Sequence, residues 1–582
     1  MKRFWMIAAC AAVVPQLVAA QVEKRVEVTK AYVPRVESAL KLAVEPDMTD
    51  TTRMRPEIDY TVTPLSLQTT LATRPIRPAT VTYWEFNRPL PFYLKVGAGY
   101  PLNSVVDFYA ATQNPSTGYV IGYLNHEGRY AKIANEAGVK NNSTRMYNRA
   151  GVAAGKYLGR HVLEGELSYD NRMYHRYGSY TTDPDLPEEQ LRALGIGGMN
   201  DYGDAALSVR FGDDFQDLSR VNFEVGLHGD LFFDHSDLPG DGERSRQLNL
   251  GAEGRIARSF GRSSFSLGIG YDAFGGQQWL SGYWQQLIRA SLRYRFAGGV
   301  VGLEVGGDYC HDRVETPGEP EALVETGDYF IPFARLVFNL GTPGLKPFFE
   351  ADGGVSPNDF RTLTAVNPYV APGTWLDKSS VDYNFRAGLG GSLWRNRFTY
   401  RVYAGFSVQD NRLFWATLLE RSGAAGEYET FASTFIPQLG RQTVTSFNGE
   451  IEYRPISSLR FDLGVHGRFY NKECDWANGE ASFVGNIGVD YTGRKISFGI
   501  EARMESERSW STLDYMFVDE ARYLPVFKAP FTVDLRAHFD WRVSHRVTLF
   551  AEGRNLADQR LFDFARYPEL GANFTVGVKA NF

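Results

Sequence analysis

The chain has 582 residues, 14% of them aromatic and 58 of them glycine, with 62 basic and 68 acidic residues giving a net charge of −6. Charges so interspersed leave no basic patch for a nucleic-acid partner, and beyond the N-terminus no apolar run of about 18 residues exists that could cross a membrane as a helix. The mean hydropathy of −0.30 does not exclude the membrane, because a β-barrel alternates a lipid face with a watery one and the average hides both.

Residues 1–20 read as an export signal of the Sec type. Lys2 and Arg3 precede an apolar stretch from Trp5 to Ala20, and Val18-Ala19-Ala20 offers small residues ahead of Gln21. Ile7-Ala8-Ala9-Cys10 imitates a lipoprotein cleavage box, but cutting there leaves an apolar stretch shorter than the usual length of roughly 7–15 residues, so no lipid anchor is expected. Cys310 and Cys474 then remain, read as two unpaired thiols rather than a disulfide framework or metal cluster. Residues 21–85 carry Pro34, Pro46, Pro56, Pro64, Pro75 and Pro78, and read as an extended periplasmic or lumen-lining segment.

From residue 86 to residue 582 the chain becomes a relay of alternating strands. Ile288, Ala290, Leu292, Tyr294 and Phe296 alternate with Arg289, Ser291, Arg293 and Arg295, and the stretches Phe398–Val408, Leu459–Phe469 and Phe531–Trp541 repeat the pattern. The chain ends on another such strand, with Phe574, Val576, Val578, Ala580 and Phe582 on one face and Asn573, Thr575, Gly577, Lys579 and Asn581 on the other. These strands run to about eleven residues, beyond the usual 5–6 and long enough to cross a bilayer with a tilt. Tight connectors (Gly261-Arg262, Trp394–Asn396, Thr492–Arg494, Ser544–Arg546) alternate with long polar ones: Asp234–Arg246, His311–Thr326, Ser356–Ser380, Asn411–Gln442, Glu505–Pro530 and Asn555–Leu570. Counting back from Phe582 gives about 16 strands as far as Ser219 and about six more between Leu90 and Gly212, an all-β transmembrane antiparallel barrel of about 22 strands.

In such a barrel the apolar face meets lipid and the polar face lines the lumen. Arg289, Arg293, Arg295, Arg401, Arg460, Asp462, Arg468, Arg536, Asp540 and Arg542 fall on the lumen face. They read as a solvated or interdigitated wall rather than an anion-binding site, and in a barrel this wide an unplugged wall would be wet and its charges need no partners. His311-Asp312 and His235-Ser236-Asp237 are the best candidates for catalysis, and both read as loop polarity, so no enzyme and no cofactor is expected. Asp237, Asp241 and Glu243 read as a solvated acidic turn rather than a calcium loop, and no histidine spacing suits a metal. Trp279, Tyr283, Trp284, Trp375, Phe414 and Trp415 read as interface girdle or loop packing rather than sugar-stacking platforms.

The stretch Asn555-Leu556-Ala557-Asp558-Gln559-Arg560, followed by Tyr567-Pro568 and a strand from Gly571 to Phe582, resembles the end of TonB-dependent receptors. Asn555, Leu556, Asp558 and Gly571 match that family's pattern, while Leu561 stands where it carries a tyrosine and Ala572 where it carries an arginine. The resemblance implies the outer membrane of a Gram-negative bacterium, lipopolysaccharide and phospholipid as surroundings, and a terminal strand (Phe574, Val576, Val578, Phe582) read by the barrel assembly machinery. It also implies solute transport, the alternative being a structural or assembly subunit with an inert lumen. Residues 21–85 are too short for the family's plug and lack its Tyr-Gly-x-x-Ala-x-Gly-Gly segment, and Arg25–Lys30 is only a faint TonB box. The chain is thus similar to the plugless receptor-like barrels of Bacteroidetes. TonB is not expected as a partner, and the lumen is expected to be closed by the N-terminal segment, by loops or by another outer-membrane or periplasmic protein.

Overall fold

The computed structural model describes residues 90–582 except 113–115, 137, 179, 188, 190–197, 216, 238–243, 319, 423–426, 473–475, 478 and 515–522. The export signal, the segment 21–85 with its TonB-box-like stretch, Cys474, Asp241 and Glu243 lie outside the described residues.

Alternation of apolar and polar residues is carried through 22 barrel strands. The first seven are β1 (Phe92–Tyr100), β2 (Asn103–Ala111), β3 (Gly118–Arg129), β4 (Arg145–Leu158), β5 (His161–His175), β6 (Met199–Asp213) and β7 (Asn222–Asp234). Then come β8 (Ser245–Phe260), β9 (Ser263–Gln278), β10 (Trp284–Ala297), β11 (Val301–Thr316), β12 (Leu323–Phe338), β13 (Lys346–Ser356) and β14 (Ser380–Leu393). The last eight are β15 (Phe398–Ser422), β16 (Tyr428–Ile456), β17 (Leu459–Lys472), β18 (Phe483–Thr492), β19 (Ile496–Glu505), β20 (Thr532–Arg542), β21 (Val547–Arg554) and β22 (Asn573–Asn581). Each pairs antiparallel with the next, and β22 returns to β1 with Asn581 opposite Tyr93 and Phe574 opposite Tyr100. Phe92 and Phe582 exchange both backbone hydrogen bonds at 3.0 Å, and their rings stack at 5.4 Å. The ring of strands is therefore closed and leaves no open edge.

Large apolar side chains of one face form an exposed belt, with Leu167, Leu227, Ile269 and Leu292 each more than half exposed. Water does not tolerate a continuous apolar belt of this extent, so it faces lipid. Most tight turns sit at the end of the barrel that holds Phe92 and Phe582, the turn between Tyr100 and Asn103 lying at the other. Gly261 takes the left-handed backbone (φ 60°) that the two-residue β8–β9 turn requires, and Trp394, Arg395 and Asn396 do so between β14 and β15 (φ 51°, 58° and 69°).

At the opposite end three expected loops prove to be partly strand. β11 runs on to Thr316 and β12 begins at Leu323, so His311 lies within a ladder rather than at its end. The stretch Asn411–Gln442 is mostly a continuation of the β15–β16 hairpin, with a register shift between Gln409 and Arg412 and Asn411 at φ 53°. Residues Arg508–Asp514 and Tyr523–Ala529 form a further hairpin between β19 and β20. The reason is common to all three. Apolar alternation stops where the outer face leaves lipid, but backbone pairing needs no such alternation and continues above the membrane.

Leu292→Arg is expected to destabilise the inserted barrel by about 2–4 kcal/mol, the cost of a basic side chain on the lipid face near the bilayer midplane. Ser291→Arg, one residue away on the polar face, should cost far less. Urea titration of both variants in liposomes reads the difference, and equal stabilities would mean that the faces are misassigned. Deleting Phe582 removes its stacking on Phe92 and two closing hydrogen bonds, and is expected to lower the amount of heat-modifiable barrel in the outer membrane well below that of Asn581→Asp.

Candidate functional site at the mouth of the barrel

The polar face is a wall of ion pairs. Arg289 pairs with Asp272, Arg293 with Asp308 (2.6 Å), Arg401 with Glu350 (2.7 Å) and Arg536 with Asp534 (2.7 Å). Arg460 reaches both Asp462 (2.7 Å) and Asp490 (2.6 Å), Arg468 reaches Glu480 (3.3 Å), and Asp540 receives Lys579 (2.9 Å). Glu350 also meets Arg335 and Arg386, at 3.5 and 3.8 Å. Arg295 stands opposite Glu304 in the β10–β11 register, and Arg542 donates to the carbonyls of Gly493 and Arg494. Of the two arrangements expected, solvated or interdigitated, these contacts describe an interdigitated wall, although its charges had no need of partners. Side chains on one face of neighbouring strands lie only about 4.5–5.5 Å apart at Cβ, so opposite charges find each other along the wall however wide the lumen is.

The catalytic candidates separate. His311 and Asp312 are neighbours in a strand and point to opposite faces, His311 to Asp328 (2.8 Å) and Asp312 to the amide of Gln285 (2.8 Å). Ser236 is used in its turn, its backbone N–H donating to Asp234 and its hydroxyl accepting from the N–H of Asp201. Among the described residues no three metal-ligating side chains gather. Cys310 is a buried free thiol in β11.

The aromatic loop residues divide in the same way. Trp279 and Trp284 are exposed, whereas Tyr283, Trp375, Phe414 and Trp415 are packed. Trp375 stacks on Tyr283 at 5.6 Å in a cluster with Tyr202, Phe232, Leu280, Phe360 and Leu363. Phe360 and Leu363 belong to the short helix α1 (Phe360–Val366), capped by the Asp359 carboxylate on the N–H of Thr362. Arg361 then ion-pairs with Asp204 (2.8 Å) and Asp230 (3.0 Å), and Gln247 donates to Asp359 (2.6 Å). The loop rooted on β13 and β14 is thereby docked on the inner wall at β6, β7 and β8.

A second cluster joins loops from around the rim: Tyr177, Tyr369, Phe435, Trp510, Phe527, Phe562 and Tyr567. The Tyr369 and Tyr567 rings stack at 3.8 Å, Tyr177 meets Tyr567 edge-on at 4.9 Å, and the Tyr177 hydroxyl donates to the Pro568 carbonyl at 3.0 Å. Burying each such ring contributes about 1.5–3 kcal/mol, so these loops hold together as one body. Backbone bonds reinforce it. Phe435 donates to Tyr369 and accepts from Ala371, both at 2.8 Å. Residues 416–419 of β15 run parallel to 511–514, and Thr430 and Phe431 of β16 pair with 180–181. Arg566 lies over the Phe431 ring at 3.6 Å and ion-pairs with Glu136. Burial works against the Glu569 carboxylate, yet the guanidiniums of Arg145 (3.0 Å) and Arg129 (3.7 Å) hold its pKa below the ordinary value. None of these loop residues carries a sequence signal beyond being aromatic in a polar stretch; only Tyr567-Pro568 belongs to the family-like motif.

That motif has a structural account. The Asn555 side chain accepts from Gln559 N–H (3.0 Å) and donates to the carbonyls of Gln559 (2.7 Å) and Leu570 (2.9 Å), while its backbone N–H donates to Asp534. Leu556 N–H donates to the Leu535 carbonyl at 2.8 Å. Asp558 accepts from the Ala572 N–H at 2.8 Å, and a Cβ at Gly571 would collide with that carboxylate. Together they stitch the start of the last long loop to its end, and so place β22.

No family model and no curated protein sequence matches the chain. Its fold does match solved structures. FpvA of Pseudomonas aeruginosa bound to heterologous pyoverdines superposes with a TM-score of 0.62 at 11% identity, covering 85% of this chain and 72% of that one. The FrpB iron transporter of Neisseria meningitidis gives 0.63 at 10% identity, covering 85% and 82%. The siderophore receptor PirA of Acinetobacter baumannii gives 0.61 at 10% identity, covering 84% and 80%. The chain folds as a closed β-barrel of 22 strands of the outer-membrane type. Its fold is that of the TonB-dependent receptors.

Asn555→Ala strands the buried Leu570 carbonyl and half-buried backbone groups of Gln559, and is expected to cost about 1–3 kcal/mol. It should lower the temperature at which the heat-modifiable band converts, whereas Leu556→Ala, at an exposed position, should change it little.

Proposed function

We propose that the protein carries a solute across the outer membrane, as a receptor-type transport barrel and not as an enzyme. The observation that carries this reading is the 22-strand receptor fold, shared with proteins described as iron, siderophore and copper transporters or receptors. The cargo class is not carried over, since at 10–13% identity the likeness speaks for the fold. The expectation that TonB is no partner rests on the faintness of the box at Arg25–Lys30 and on reading residues 21–85 as too short for a plug, both outside the described residues, and the fold itself lends it no support.

A second reading, a structural or assembly subunit with an inert lumen, draws on the ion-paired wall, where Arg289, Arg293, Arg401 and Arg460 are already neutralised by neighbours. Comparison of the deletion strain with its parent separates the two. For a transporter, accumulation of at least one radiolabelled solute from a panel of iron and copper chelates and oligosaccharides should fall at least tenfold. Unchanged accumulation across the panel, together with loss of another outer-membrane protein from the deletion strain, would favour the subunit.

A further inference from the structure

A barrel of 22 strands spaced about 4.8 Å apart and tilted about 40° has a backbone diameter of about 45 Å. An opening of that size would breach the outer membrane, so something must fill it. The β15–β16 hairpin bends at Asn411 and continues as paired strand, Arg412–Ser422 opposite Tyr428–Gly440. Eleven residues of extended chain span about 36 Å. Thr430 and Phe431 near its tip form an antiparallel ladder with Thr181 and Tyr180, and Thr182 N–H donates to the Glu429 carbonyl at 2.9 Å. Those partners belong to the loop between β5 and β6, ten strands round a ring of 22, which is nearly the opposite wall. The hairpin and the β5–β6 loop that meets it thus make a bar across the mouth.

Loops rooted elsewhere lie on this bar. The β13–β14 loop bonds it at Phe435, the 508–514 strand at residues 416–419, and the β21–β22 loop through Arg566 on Phe431. The aromatic cluster of Tyr177, Tyr369, Phe435 and Tyr567 fills the place where they meet.

We infer that this loop layer, spanned by the β15–β16 hairpin, is the closure of the barrel: the chain is stoppered from its outer mouth by its own loops. The inference deepens the transport reading and rests on it for its purpose, though the closure is read separately. Any solute that passes must part the bar between Thr181 and Thr430 first.

The full-length protein, purified and reconstituted in planar bilayers, should be electrically silent. A variant with residues 413–439 replaced by a two-residue turn should still show heat-modifiable folding and should conduct in large, stable steps, at least tenfold above the full chain. Large stable steps from the full chain, or a folded deletion variant that stays silent, would overturn the closure. Should the deletion variant not fold, the contact itself is tested in a chain with Cys310 and Cys474 replaced by serine. Thr181 and Thr430 face each other with hydroxyls 2.6 Å apart, so Thr181→Cys with Thr430→Cys should cross-link on intact cells under mild oxidation. Absence of that cross-link, when a Thr430→Cys single variant is labelled by a thiol reagent from outside, would equally overturn it. A silent barrel in cells without any uptake phenotype would sink the transport reading and leave the closure standing.

Discussion

Every feature of the molecule follows from one constraint: inside a bilayer no water is present to satisfy a backbone N–H or C=O, and each one left open costs several kcal/mol. A sheet in lipid must therefore close on itself. The bonds between β1 and β22, ending in the reciprocal pair Phe92–Phe582, complete this closure. The outward belt of leucine, isoleucine, valine and phenylalanine is its second consequence, since a closed ring of strands has one face in lipid over its whole circumference.

The closed ring of 22 strands encloses far more space than wall side chains can fill. The wall itself stays flat. Its arginines and carboxylates lie against neighbouring strands and pair there, as Arg335, Arg386 and Arg401 do around Glu350. The volume above the wall is occupied instead by loops that behave as a small globular layer with two aromatic clusters, a capped helix and its own β-ladders. This division explains why one kind of pattern, alternation, describes the wall, while the layer at the mouth obeys the rules of a soluble core.

The terminal motif belongs to both parts. Asn555 and Asp558 hold the last loop in a shape that delivers β22 to its partner, and the same loop sends Arg566 and Tyr567 into the layer at the mouth. A family-like stretch near the C-terminus thus serves barrel closure through its backbone bonds and loop packing through its side chains.

Strand number and the tight turns at Gly261 and Trp394–Asn396 were legible in the residues alone, because lipid on one side and water on the other force a period of two. Leu292 and Arg293 cannot exchange faces without breaking the belt. The resemblance at Asn555–Asp558 likewise pointed to the receptor fold. What the residues alone could not decide is everything that depends on partners distant in sequence. His311 and Asp312 look like a pair in the chain and are divided by the pleat of β11. Asn411–Gln442 reads as a loop and is a paired hairpin, because above the membrane its apolar residues (Phe414, Ala416, Leu419, Phe435) are buried rather than alternating between a lipid face and water. Tyr177, Tyr369 and Tyr567 lie nearly 400 positions apart at the extremes, and only the closing of the barrel brings their rings together at its mouth.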